Sequence, residues 1–226
     1  VRELRLPRTV YPALFMGDIK RWDDSRMQAA NPGVALPDMP VTVVRRADSS
    51  GTTFAFTNHL AAISDDWAAR HGSGKTVLWP KTDKIVASPK NDGVTATIRQ
   101  TPGSLGYVEY GYARFAGLSM ARLENANGEF VAPGLEGGMA ALAGEELPPD
   151  MRLLITDPQG VDAYPIVTYT WLLLYREYGE KRVAAALHEL IDYCLSEGQQ
   201  IADRMGYVPL PEPVIQAVRE AMQNVR

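Results

Sequence analysis

Apolar positions along this chain switch repeatedly between a spacing of three to four, the mark of a helix with one buried face, and short runs bounded by turn residues, the mark of a strand. Thr9 to Trp22 carries the helical spacing, and the pattern predicts a short helix ending near Gly17. A Trp22-Asp23-Asp24 turn follows, then a second short helix toward Ala30, stopped by Asn31-Pro32-Gly33. Val41 to Arg45 is β-branched and lies between Pro40 and a polar Asp48-Ser49-Ser50-Gly51 turn, so it predicts a strand. From Thr52 onward Phe54, Phe56, Leu60 and Ile63 predict a helix, and Ser64 to Arg70 another around Trp67.

Farther along, Lys81 to Lys90 reads as a lysine-bearing loop, Gly106-Tyr107-Val108 as a short strand, and Tyr110 to Ala116 as a helix. The Asn127-Gly128 pair predicts a hairpin turn between two strands. Gly134 to Asp150, rich in Gly, Ala and Pro, reads as a surface helix with loops. The nearly continuous apolar stretch from Tyr164 to Tyr175 is expected to be a strand buried on both faces. Val183, Leu187, Leu190, Ile191, Cys194 and Ile201 fit one helix of several turns closed by Gly206, and Pro213 sits in the first turn of a last helix. Alternation of this kind points to an α/β fold.

With 46% apolar and 22% charged residues over 226 positions, the chain has enough apolar surface for one large domain or two lobes. Its longest apolar run, around Trp171 to Tyr175, falls far short of the ~20 residues needed to cross a bilayer as a helix. A balance of 23 Lys and Arg against 27 Asp and Glu lacks the basic footprint of a nucleic-acid binder. An anionic ligand must therefore be held by a local device. The single cysteine, Cys194, excludes an internal disulfide and a cysteine-based zinc cluster. The chain opens at Val1 without an initiator Met or a leader, which reads as a processed product or a fragment.

The sharpest local device is Arg45-Arg46-Ala47-Asp48-Ser49-Ser50-Gly51-Thr52-Thr53, at a strand-to-helix junction. Unpaired N–H groups at a helix start carry the positive end of the macrodipole, and Ser50 and Thr52 add hydroxyl donors. An upstream arginine can grip two oxygens of a tetrahedral oxyanion, with Asp48 as the carboxylate that fixes the guanidinium. An ordinary N-cap beside a surface arginine would show the same residues.

These residues also carry a resemblance. The chain is similar to the phosphate-binding proteins of bacterial high-affinity phosphate ABC transporters. The matching stretches are FMGDIKRWDD (15–24), Asn31-Pro32-Gly33, VRRADSSGTTFAFT (44–57), Trp67, VLWP (77–80), Asn91-Asp92-Gly93-Val94, PGSLGYVEY (102–110), Tyr164-Pro165-Ile166 and GYVPLP (206–211), in order across nearly the whole chain. The resemblance implies a periplasmic-binding-protein fold of type II, two α/β lobes closing over one phosphate, in a non-enzymatic protein without cofactor or metal. Residues 1–163 are expected to be the second lobe and 164–226 the returning segment of an incomplete first lobe. Arg46, Ser50, Gly51 and Thr52 map onto phosphate contacts, Asp48 onto the partner of Arg46, and Arg45 onto a charge outside the contact set. Ser49 stands where the motif has glycine, which would alter the loop if φ is positive there. The implied partners are inorganic phosphate and an ABC permease of the inner membrane, in the periplasm or at the cell surface.

Family members carry further ligand loops and an aspartate ahead of the portion matched here. The alternative expectation is a scaffold or regulatory interaction protein that pairs with another chain supplying the missing lobe-half.

Four other signals are weaker. Gly72-Ser73-Gly74-Lys75-Thr76 resembles a nucleotide-binding loop, but Ala69 stands where its first glycine belongs and a helix precedes it instead of a strand. No Gly-x-Ser-x-Gly elbow surrounds Ser50, and His59, His71 and His188 are scattered. Asp23-Asp24 and Asp65-Asp66 each lie at a helix start, where capping accounts for them. Lys81, Lys84 and Lys90 form a modest basic loop.

Overall fold

The computed structural model describes residues 3–226. In chain order the elements are β1 (Arg5–Leu6), α1 (Val10–Met16), α2 (Ser25–Ala30), β2 (Thr42–Arg46), α3 (Gly51–Ile63), α4 (Asp65–Arg70), β3 (Ile85–Ser88), α5 (Lys90–Gln100), β4 (Ser104–Gly106), α6 (Tyr110–Phe115), β5 (Arg122–Glu124), β6 (Phe130–Val131), α7 (Leu135–Leu142), α8 (Lys181–Leu195), α9 (Glu197–Ala202) and α10 (Glu212–Met222). Most boundaries follow local chemistry. Gly17 closes α1 in the left-handed region at φ 76°, where a side chain would be strained. The Asp24 side chain accepts from the Arg26 amide to start α2, and Ser64 does the same from Trp67 to start α4. Pro213 falls in the first turn of α10, where its missing N–H costs nothing.

The strands form two three-stranded sheets. In one, β1 runs parallel to β5, which pairs antiparallel with β6 across the turn that Gly128 makes at φ 82°. In the other, all-parallel sheet, β2 lies between β3 and β4. The chain leaves β2 through α3 and α4 to reach β3, then returns through α5 to β4 on the opposite side. Parallel strands require such crossovers, and the carboxyl ends of all three strands therefore open on the same edge. Val43 and Val44 are both buried, as expected for a central strand covered on both faces. One large apolar cluster runs from Leu4 to Leu123 and joins α1, α3, α4 and β2. At its centre Phe56 stacks on Tyr107 at 4.4 Å and meets Phe15 edge-on at 4.6 Å.

Several expectations are corrected. The Lys81–Lys90 loop contains a strand, β3, because Ile85 to Ser88 finds a full parallel partner in β2 despite the flanking lysines. The strand expected at Gly106–Val108 lies two residues earlier, where Ser104 to Gly106 pairs with Thr42 to Val44. The Gly134–Asp150 helix is not purely a surface one: Gly137, Gly138, Ala141 and Leu142 of α7 are buried. The long late helix breaks at Ser196, whose φ of −119° and ψ of −91° separate α8 from α9.

The largest correction concerns Tyr164 to Tyr175. No strand forms there, and neither sheet includes the segment. Leu172 and Tyr175 are exposed and Leu173 is 95% exposed. Apolar composition favours a buried strand only where a neighbouring strand can take up the backbone donors and acceptors. Among the described residues none lies beside this one.

Candidate functional site

The three carboxyl ends of the parallel sheet bring together residues from β2, β3 and β4. Arg46 is the last residue of β2, opposite Ser88 at the end of β3. The chain then turns through Asp48 and Ser50 into α3, while Asn91 is the second residue of the helix after β3 and Glu109 precedes the helix after β4. In open parallel sheets such an edge, where the chain passes from β2 to β3 on one side and then crosses to β4 on the other, is the usual place for a ligand.

The Arg46 side chain is turned inward, only 9% exposed. Its Nε donates to Asp48 Oδ1 at 2.9 Å and its Nη2 to Asp48 Oδ2 at 2.6 Å, a bidentate pair that occupies one edge of the guanidinium. The remaining edge faces the start of α3. From it Nη1 donates to Asn91 Oδ1 at 3.0 Å and weakly to Thr52 Oγ1 at 3.4 Å. Asp48 also accepts from the Lys90 amide at 2.9 Å, so the carboxylate ties β2 to the start of α5. The hydrogen bonds from Arg46 and then from Lys90 hold the Asp48 carboxyl well below the usual carboxylate range. The same pairing with Asp48 raises Arg46 further above its ordinary value, with burial opposing. The pair stays charged across the whole physiological range.

Ser50 caps α3: its Oγ accepts from the Thr53 amide at 3.2 Å. A hydroxyl used in this way still has its own proton to donate, so capping and ligand contact are compatible roles. The first intrahelical bond runs from the Phe54 amide to the Ser50 carbonyl at 3.0 Å. The Gly51 and Thr52 amides, in the first turn, are left without an acceptor among the described residues. Gly51 is exposed, and its α-carbon faces open space. Behind this turn Thr53 Oγ1 and Tyr107 Oη lie 2.8 Å apart, and the Tyr107 hydroxyl accepts from the Arg46 amide at 3.3 Å. Burial pushes the Tyr107 phenol up, so it stays protonated and fastens β2 and α3 to the aromatic core.

The predicted residues Arg46, Asp48, Ser50, Gly51 and Thr52 thus share one patch. Arg45 points elsewhere and donates from Nη1 to the Arg46 carbonyl at 2.9 Å. Ser49 does not have a positive φ, so the loop accepts it in place of glycine without strain. Two members were missed. Asn91 donates from Nδ2 to Glu109 Oε1 at 2.9 Å, and the Thr52 hydroxyl donates to the same oxygen at 3.3 Å. Both lie in strand-to-helix turns, the same local position as Asp48 to Ser50, and that shared position was the signal available. Without β3, Asn91 could not be placed at a strand end.

The signals judged weaker have other partners. His59 is buried, with Nε2 2.6 Å from the Tyr11 hydroxyl. His188 lies 2.9 Å from the Val225 carbonyl. In the segment 72–76 the Gly74 amide donates to the Thr57 hydroxyl at 3.1 Å, and no helix follows it directly. Among the described residues no group of three or more His, Cys, Asp or Glu could hold a metal ion, and no helix is long and apolar enough to cross a membrane.

Comparison with known proteins gives a consistent picture. Residues 3–197 match the family model of the PBP superfamily domain. The phosphate-binding protein PstS of Pasteurella multocida is 36% identical over 219 residues, covering 96% of this chain and 63% of its own length. That of Methanocaldococcus jannaschii is 38% identical over 244 residues, covering all of this chain and 62% of its own length. The chain therefore spans less than two thirds of these relatives. Among solved structures, a high affinity periplasmic phosphate-binding protein (PfluDING) bound with phosphate superposes with a TM-score of 0.75 at 22% identity, over 97% of this chain and 65% of that one. The likeness fixes the fold.

Proposed function

Because this chain belongs to the PBP superfamily, whose model covers most of it, we propose that it binds inorganic phosphate and passes it to an ABC permease. Arg46 supplies a fixed positive charge and, on the edge away from Asp48, the Nη1 donor that Asn91 and, weakly, Thr52 now accept from. Ser50 and Thr52 supply hydroxyls, and Gly51 and Thr52 supply backbone amides with the helix dipole behind them. Asp48 holds Arg46 in place. The observation that carries this reading is the inward Arg46 fork, fixed on one edge by Asp48 and turned on the other toward Asn91 and the first turn of α3. The names of the curated relatives support phosphate as the anion. Binding without reaction fits the same donors, since no nucleophile and base pair accompanies them.

In this reading residues 1–163 form the second lobe and 164–226 the returning segment of the first, with the ligand enclosed when the lobes meet. Delivery to an inner-membrane permease calls for a protein in the periplasm or at the cell surface, and the periplasmic phosphate-binding protein among the structural neighbours supports that location. The test is calorimetric titration with phosphate. Arg46→Ala is expected to weaken binding by at least about a hundredfold, as befits a lost charge-assisted donor pair in a partly desolvated site. Equal affinity in the two proteins would remove Arg46 from the site.

A second reading has one observation in its favour. The exposed Leu172, Leu173 and Tyr175 form an apolar edge of the sort that pairs with another chain. In that case the protein acts as a scaffold whose first lobe is completed by a partner. Light scattering after size exclusion separates the readings: a monomer that binds phosphate tightly excludes the second.

A further inference from the structure

The Gly72 to Thr76 segment, which lacks the preceding strand of a nucleotide-binding loop, is built into the edge of the anion site. Four hydrogen bonds fasten it and the residues after it: the Trp67 indole to the Gly72 carbonyl at 2.9 Å, the Gly74 amide to the Thr57 hydroxyl at 3.1 Å, the Ser50 amide to the Lys75 carbonyl at 3.0 Å, and the His71 ring to the Leu78 carbonyl. The Lys75 main chain therefore touches the residue that caps α3, and its exposed side chain starts beside the proposed ligand donors. On the other side of Arg46, the Lys90 amide donates to Asp48 Oδ1 at 2.9 Å, so a second exposed lysine starts beside the carboxylate that holds the guanidinium. Lys90 sits at φ 54°, where a lysine is strained and a glycine would not be, yet a lysine is kept there. Neither ammonium forms an ion pair among the described residues.

Resting on the phosphate-binding reading above, we infer that Lys75 and Lys90 form a cationic collar that captures the anion from solvent and sets its rate of arrival at the Arg46 fork, without joining the contacts that hold it once bound. The charge balance at this edge carries the inference. Asp48 is taken up by Arg46. That leaves Arg45, Lys75 and Lys90 against Glu109 and the Asp92 of the first turn of α5, one positive charge in excess, in a molecule whose net charge is −4. A phosphate of roughly one to two negative charges is repelled by the molecule as a whole and drawn only by this edge. Without the two lysines the local sign reverses.

Lysine suits this role better than a bound contact would. A hydrated ammonium on a flexible stem spreads its charge over the mouth of a site, whereas holding the anion calls for fixed donors, which the guanidinium and the α3 amides supply. Two unit charges about 10 Å from the anion in water raise its chance of capture by about tenfold in dilute salt, where the screening length is about 30 Å. In about 1 M salt that length falls to about 3 Å and the effect is lost. The four hydrogen bonds on the 72–78 segment keep the base of the Lys75 side chain from drifting away from Ser50.

The experiment measures Kd for inorganic phosphate by calorimetry and the dissociation rate by chasing labelled phosphate with unlabelled; the association rate is the second divided by the first. Wild type, Lys75→Gln with Lys90→Gln, the charge-keeping Lys75→Arg with Lys90→Arg, and Arg46→Ala are compared in about 0.01 M and about 1 M salt. In dilute salt the Gln pair is expected to slow association about tenfold and to leave dissociation within about twofold of wild type. The Arg pair is expected to keep the wild-type rate, and in concentrated salt the three proteins converge. A slowing that persists in concentrated salt, or that the Arg pair shares, assigns the lysines a structural role and overturns the collar. Faster dissociation with association unchanged makes them bound contacts and overturns it as well. Rates unaffected by the Gln pair, in a protein that loses phosphate with Arg46→Ala, overturn the collar and leave the site standing. No phosphate binding by the wild-type chain, or an affinity unaffected by Arg46→Ala, overturns the phosphate reading itself and this inference with it.

Discussion

The strand-to-helix turn after β2 and the helices after residue 176 are built on very different foundations. The first rests on a cluster that includes Trp67, Leu60, Val43 and Tyr107, drawn from α4, α3, β2 and the segment after β4. The second has a separate cluster of four buried residues, Ile191, Leu195, Ile215 and Met222. Of the fifteen residues of α8 only Ala184, Ile191 and Leu195 are buried. Its links to the rest are few and specific: Arg114 Nη1 donates to the Asp203 carbonyl at 2.7 Å, and Gly206 meets Gly111 so closely that an added β-carbon would lie 2.5 Å from the Gly111 α-carbon. The proposed anion site needs donors that do not relax away when a charge arrives, and the apolar core behind Arg46 and α3 would supply that stiffness. The late helices bear no such demand in the described residues.

The contrast is most easily broken at Trp67. Its side chain is fully buried, with the rings of Trp79 and His71 against it, and its Nε1 donates to the Gly72 carbonyl at 2.9 Å. Trp67→Ala is expected to cost about 3–5 kcal/mol in denaturant unfolding, a large fraction of the roughly 5–15 kcal/mol that holds a typical domain together. Ile191→Ala, in the smaller cluster, is expected to cost about 2–3 kcal/mol, because its surroundings can collapse more easily. A larger loss at Ile191 than at Trp67 would reverse the comparison.

Acid tests the same core by another route. Burial pulls His59 down to about 4, with the nearby Asp157 opposing and Arg8 assisting. Its Nδ1 is buried without a partner, so the charged form has nothing to replace water. The folded value lies below the unfolded 6.5, so the unfolded chain binds more protons between those two values. Stability is therefore full above about pH 6.5, falls as pH drops toward 4, and loses on the order of 3 kcal/mol over that window. Denaturant midpoints for wild type and His59→Gln, compared at pH 7.5 and pH 4, check the sign. The wild type is expected to lose more on acidification, and a parallel loss in both would assign the effect to other groups.

The order in which these features could be read from the sequence follows from how local they are. Gly17, Asp24, Ser64 and Pro213 act within one turn of chain, and the helices they bound were legible. Arg46 to Thr52 was legible for the same reason, since cap, hydroxyls and guanidinium lie within seven consecutive residues. Asn91 and Glu109 are 45 and 57 residues from the side chains they touch, Arg46 and Thr52. Only the parallel pairing of β3 and β4 with β2 brings them in. β3 itself was hidden by its lysine-rich flanks, although Ile85 and Val86 are the kind of residues a strand uses. The error at Tyr164 to Tyr175 is of the opposite kind. Its apolar composition is strong local evidence, but burial on two faces is a property of neighbours.

That segment also gives the smallest expected effect. Leu173 is 95% exposed, so replacing it removes almost no buried surface. In the described chain Leu173→Ser is expected to shift unfolding free energy by less than about 0.5 kcal/mol, as at other exposed positions. Trp171, whose Nε1 donates to the Met151 carbonyl at 2.8 Å, keeps one foothold beside it and serves as a neighbouring fluorescent reporter. If another strand covers the segment in solution, its emission is shifted toward the blue and Leu173→Ser costs about 2 kcal/mol or more, since a buried leucine would then be lost. A small cost with exposed-type emission keeps the contrast as drawn: a rigid cradle after β2, and an apolar segment beside which no strand lies among the described residues.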